Sequence, residues 1–216
     1  MRNSKNTKIG RIIEVARRLP IFTLDDLASI ETNKSYLRIL LSRQVKQGNV
    51  ARLKKGTYVA KEYLDGVEKS GRLPAYAEFL AGVLYEPSYL SLEYILHQHN
   101  VITESPIAVT AVTRRKTASF STPFGSYKYH SIASALFTGY TAKRDGDYLI
   151  FRASPAKALF DFLYFRKNHL AEKEAIKELR LNLDSLNRSD EKELKRYVLA
   201  EGSARMKKIY ETLWKK

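Results

Sequence analysis

Ser35, Arg38, Ser42, Arg43 and Lys46 recur at helical spacing between positions 34 and 47. Short polar and guanidinium side chains on one helix face suit the major groove of duplex DNA, where an arginine can fork onto guanine O6 and N7. The opposite face carries Leu37, Leu40, Leu41 and Val45, with Gln44 at its edge, and is the one expected to pack. Lys54 and Lys55 follow, between two short β-prone runs at 49–52 and 57–60, and Gly56 supplies the turn. Two lysines at a hairpin tip have no core role and are well placed for the phosphates beside a groove. The candidate DNA contacts are therefore Lys34, Ser35, Tyr36, Arg38, Ser42, Arg43 and Lys46 from the helix, and Arg52, Lys54 and Lys55 from the hairpin. Tyr36 has two readings, a phosphate contact or a core filler. Alone, the helix face more often reads as an ordinary solvated surface; the basic hairpin behind it is what makes the pattern specific.

Several elements must position these residues. Ile9, Ile12, Ile13, Ala16 and Leu19 predict an amphipathic helix over 8–19, stopped by Pro20. Residues 20–22 read as an extended connection of the kind that pairs with the wing in winged domains. Thr23 and Asp26 resemble a capping box opening a second helix, whose buried side is Leu24, Leu27, Ala28 and Ile30. Thr32 or Asn33 caps the third helix, and Gly48 ends it. This order predicts a winged helix-turn-helix over 1–68. Residues 61–72 are polar, hold two glycines and read as a linker.

Residues 73–216 read as a mixed α+β domain, with antiparallel strands packed against helices and a helical C-terminus. Helices are expected at 75–83 and from a cap at Ser91 onward. The period then shortens toward two: 107–113, 116–121 and 126–132 are strand-like, with a hairpin turn at 122–125, and 147–152 is a further strand. Ser154-Pro155 is a strong helix start, and 155–165 is apolar almost all round, so it belongs at the centre of this domain's core. Charged helices are expected at 172–181, 190–200 and 203–214.

Composition narrows the classes. The 216 residues carry a formal net charge of +15, and residues 1–72, with 16 Lys+Arg against 7 Asp+Glu, hold +9 of it. Such density favours a nucleic acid or an anionic surface, though a basic protein with no polyanion partner fits the same count. The absence of cysteine excludes disulfides, thiolate metal sites and cysteine nucleophiles, and suits a cytoplasmic setting. No apolar run approaches the roughly 20 residues that span a bilayer, and the N-terminus lacks the apolar stretch of a secretory signal.

Enzyme readings are weaker. Gly125-Ser126 with Asp145-Gly146-Asp147 superficially matches a nucleotidyltransferase signature, but the first pair sits in a hairpin and the second in a turn. His97 and His99 on one helix point about 200° apart and cannot share a metal. Asp161, mid-helix among apolar residues, reads as an acid paired with Lys or Arg, and nothing supports Ser91 as a nucleophile with His97 or His130. No catalytic, cofactor or metal residue is assigned.

Four stretches resemble one known family: RLKKGTYVA, then PSYLSLEYILHQHNVITESPIAVTAVTRRK, FGSYKYHSI and FRASPAKALFDFLY. Their order and spacing are similar to the AbiEi family of antitoxins, also described as transcriptional regulators of viral defence, over residues 7–165. One departure is Ala156, where the family's helix usually opens with an acid. The resemblance implies an N-terminal winged domain that binds inverted repeats in its own promoter and represses the operon. It also implies a C-terminal domain that supports antitoxicity, and a neighbouring nucleotidyltransferase-like toxin that forms no stable complex with it. The alternative is a winged-helix regulator whose second domain senses a small ligand and which has no toxin partner.

Overall fold

The computed structural model describes residues 7–214. The fold is mixed α+β, with two sheets and a helical C-terminus. Two compact units divide it: residues 1–77 with 120–124, and residues 78–119 with 125–216. Among the described residues no helix is long and apolar enough to cross a membrane.

The first unit begins with α1 (Lys8–Ala16), where Thr7 Oγ1 accepts from the Gly10 amide at 3.1 Å. Ile12 and Ala16, one turn apart, are fully buried. The helix stops short of the expected Leu19 because its last amides bond three residues back, Arg18 to Val15 and Leu19 to Ala16, ahead of Pro20. Strand β1 (Phe22–Thr23) follows.

The expected second helix is reduced to a 3₁₀ turn at Asp25–Leu27. The Thr23 amide and hydroxyl both donate to Asp26 Oδ2, at 2.7 and 2.8 Å. Too few residues then remain before Glu31 to repay helix nucleation. Leu27 is nevertheless buried, and Leu24 and Ile30 pack on the core as expected, whereas Ala28 is exposed.

Helix α2 (Lys34–Lys46) is capped by Asn33, whose Oδ1 accepts from the Tyr36 amide at 3.0 Å. Its buried residues are Leu37, Leu40, Leu41 and Gln44. Gly48, with φ +77°, takes the chain out of the helix. Strands β2 (Val50–Lys54) and β3 (Thr57–Ala60) form a hairpin closed by Lys55-Gly56, with Gly56 at φ +82° and an irregularity between Arg52 and Lys54. β1 pairs antiparallel with β3, setting Phe22 opposite Tyr58 with their rings stacked at 5.8 Å. The segment read as a linker forms α3 (Lys61–Lys69): Leu64 and Val67 are buried at i, i+3, and Lys61 pairs with Asp65 one turn on at 2.5 Å.

Helix α4 (Leu73–Leu84) follows, and the second sheet has six strands. Its strands are β4 (Ser88–Leu90), β5 (Val109–Thr113), β6 (Ala118–Thr122), β7 (Gly125–Ser131), β8 (Tyr140–Asp145) and β9 (Tyr148–Ala153), in the order β6-β7-β5-β4-β9-β8. The expectation of antiparallel strands is corrected: β4–β5 and β8–β9 are antiparallel, but β4–β9 and β5–β7 are parallel. Alternation along a strand marks its two faces and is silent about which strand lies beside it. β4 itself went unpredicted. It has three residues, all buried, and so shows no alternation although it sits inside the sheet.

Helices α5 (Glu93–Gln98), α6 (Pro155–Arg166), α7 (Lys173–Lys177), α8 (Arg188–Glu201) and α9 (Ala204–Trp214) complete the fold. Ser91 is not the cap of α5. Thr110 from β5 does that work, its Oγ1 accepting from the Tyr94 amide at 3.1 Å while donating to the Ser91 carbonyl at 2.7 Å. In α6, Ser154 Oγ accepts from the Lys157 amide at 3.0 Å, and every residue from Ala156 to Leu163 is buried, as its apolar circumference predicted. In α8, Asn187 and Asp190 form a reciprocal capping box.

Candidate nucleic-acid interface

The packing of α2 decides what its other side presents. With Leu37, Leu40, Leu41 and Gln44 turned into the core, Lys34, Ser35, Arg38, Ser42, Arg43 and Lys46 are all exposed. Gln44 is held from behind, accepting from Asn49 Nδ2 at 2.9 Å and donating to Gln47 Oε1 at 3.0 Å. Tyr36 is 44 % exposed, with Lys8 Nζ 5.8 Å from its ring centroid, which settles its two readings against the core.

The hairpin stands beside this face. A groove of ≈ 530 Å³ opens between α2 and the hairpin. Leu24, Val45 and Tyr58 lie at its base, and Arg38, Ser42, Arg52 and Lys55 line its exposed sides. Tyr58 is 7 % exposed and packs inward, as expected. Arg52 Nε leans on the Lys54 carbonyl at 3.4 Å. Lys54 is half-buried at the end of β2, so Lys55 is the more projecting of the two lysines. The ten residues singled out in the sequence thus fall on one helix and one hairpin of the same unit.

Their charges are unequally available. Lys34 is paired with Asp25 at 2.5 Å, and Lys8 with Glu31 at 2.6 Å. That contact holds the exposed Lys8 ammonium above its ordinary pKa and the Glu31 carboxyl below its own. Among the described residues, Arg38, Arg43, Lys46 and Lys55 make no ion pair. Unpaired cations grouped on one face attract polyanions most effectively. Ile39 was missed in the sequence. It lies among these residues and is 56 % exposed, the most exposed of the large hydrophobic side chains recorded in the first unit. Its position on the α2 wheel, about 40° from Ser35 and within the polar face, was the available signal.

The second unit holds two polar clusters built on buried carboxylates. Asp161 Oδ2 accepts from the Ser91 hydroxyl at 2.7 Å and the Tyr89 hydroxyl at 3.0 Å, and Oδ1 meets Lys157 Nζ at 2.5 Å. Glu78 accepts from Tyr94 and Gln98, both at 3.0 Å, and pairs with Arg152. Burial, reinforced by these carboxylates, pushes the Tyr89 and Tyr94 hydroxyls well above their usual pKa. Ser91 is thereby committed to Asp161. Asp145 ends β8 and Asp147 lies in the following turn, while Gly125 opens β7. Among the described residues no group of three His, Asp or Glu side chains is placed to hold a metal ion.

Compared with known proteins, the chain matches no family model and no curated protein.

Proposed function

We propose that this chain is a DNA-binding autorepressor, built on an N-terminal winged helix-turn-helix, and the antitoxin of a toxin–antitoxin pair in antiviral defence. The observation that carries the DNA half is the exposed face of α2, where Arg38, Arg43 and Lys46 make no ion pair among the described residues, continuing across a groove to Arg52 and Lys55 on the hairpin. In this reading α2 enters the major groove, Arg38 and the two serines meet base edges, and the hairpin holds the flanking phosphates as the wing. The order helix, strand, turn, helix, hairpin, with β1 paired onto β3, supports the winged assignment.

The antitoxin half is supported by the AbiEi-like motifs of residues 87–165. The partner is then duplex DNA carrying inverted repeats in the chain's own promoter, and the functional counterpart is a nucleotidyltransferase-like toxin acting in the cytoplasm without forming a stable complex. Shift assays on promoter and random duplexes across salt concentrations test the first half. Co-expression with the toxin encoded beside it tests the second: failure to restore growth removes the antitoxin role and leaves the DNA role standing.

A second reading, a regulator that senses a small ligand and has no toxin, is favoured by one observation. Phe137, Tyr140 and Phe151 wall a ≈ 220 Å³ pocket in the second unit, where an aromatic ligand could stack. A change in promoter affinity on adding that ligand would select it.

A further inference from the structure

We propose that Ile39 is a specificity-determining residue that reads thymine, packing against its C5-methyl group in the major groove. The inference rests on the DNA-binding reading of α2 and deepens it. At roughly 100° per residue, Ser42 and Lys46 fall within about 20° of Ser35, Ile39 about 40° to one side and Arg38 about 60° to the other. Ile39 therefore stands inside the exposed polar face and not at its margin with the core, and it is 56 % exposed. Single exposed hydrophobics are common on protein surfaces. This one is set among Arg38, Arg43 and Lys46, none of which is ion-paired among the described residues. A protein partner seated on the isoleucine would have to bury those cations, which is costly without matching acids. The major groove of DNA instead offers phosphates to the cations and a single apolar feature to the isoleucine, the thymine methyl. A β-branched side chain in a helix keeps one χ1 rotamer, so little freedom is lost on contact.

The test uses the full chain and a duplex selected by it from a random pool, resynthesised with each thymine replaced in turn by deoxyuridine, which removes only the methyl. One or two positions are expected to weaken binding about four-fold, the worth of one buried carbon at about 0.8 kcal/mol. Ile39→Ala should bind the thymine and deoxyuridine forms of that position equally and keep the wild-type salt dependence. Duplex binding with no deoxyuridine-sensitive position, or a sensitivity that persists in Ile39→Ala, overturns this inference alone. Absence of any salt-dependent duplex binding overturns it together with the reading beneath it.

Discussion

Lys157 Nζ lies 2.5 Å from Asp161 Oδ1, one turn along α6, and neither side chain is exposed to solvent. Tyr89, Phe160 and Tyr197 ring the ammonium at 4.7 to 5.7 Å, and Ser91 and Tyr89 fill the other carboxylate oxygen. Burial pushes the Asp161 carboxyl up and the Lys157 ammonium down, and each partner opposes the shift of the other. PSYLS and SPAKALFD, two of the motifs that carry the family resemblance, thus meet in one buried cluster. The cluster ties α6 to β4 through the Tyr89–Asp161 bond.

Breaking this pair from one side should be severe. Asp161→Ala strands the Lys157 charge and two hydroxyl donors, and should cost about 3–5 kcal/mol. Adding Lys157→Met should recover part of that loss. Urea midpoints of the single and double variants give the comparison, and equal midpoints would mean that the charges are not coupled.

Asn33 holds the first turn of α2 through its bond to the Tyr36 amide. Asn33→Ala should lower stability by about 1 kcal/mol, and Asn33→Asp should retain most of it, since both Asn and Asp cap well. Thermal unfolding of the three proteins distinguishes a cap from a passive loop residue.

His130 introduces a pH dependence. Burial lowers its pKa, the nearby Arg166 and Lys128 lower it further, and Glu93 opposes them. The folded state therefore binds protons less readily than the unfolded chain, whose histidine titrates near 6.5. Stability from this residue is full above that value and is lost as pH falls from it toward the folded pKa. Chemical denaturation at pH 7.5 and 5.5 should show the decline, and His130→Gln should flatten it.

On DNA, Arg38 and Lys55 should separate cleanly. Arg38→Ala should cost about 1–3 kcal/mol on a preferred sequence and relax selection at one base pair. Lys55→Ala should weaken all duplexes alike and reduce the slope of log affinity against log salt by about 0.9. The reverse assignment, with Lys55 selective and Arg38 not, would place the hairpin and not the helix in the groove.

Some of this molecule was legible as a string of residues. The 3.6 period placed α1 and α2, Gly56 marked the hairpin, and Ser154-Pro155 opened α6, because each is a local choice made by neighbours in the chain. The exposure of Arg38, Ser42 and Arg43 followed from the same period. Tertiary structure decided the rest. β4 is identified by its partners on both sides, the cap of α5 comes from Thr110 nineteen residues after Ser91, and α3 formed where polarity suggested a linker, because Leu64 and Val67 found a surface to cover. Ile39 makes the same point from outside the core. Periodicity tells which residues share a face, but whether an apolar side chain there is buried depends on what the remaining chain brings over it, and over Ile39 it brings little.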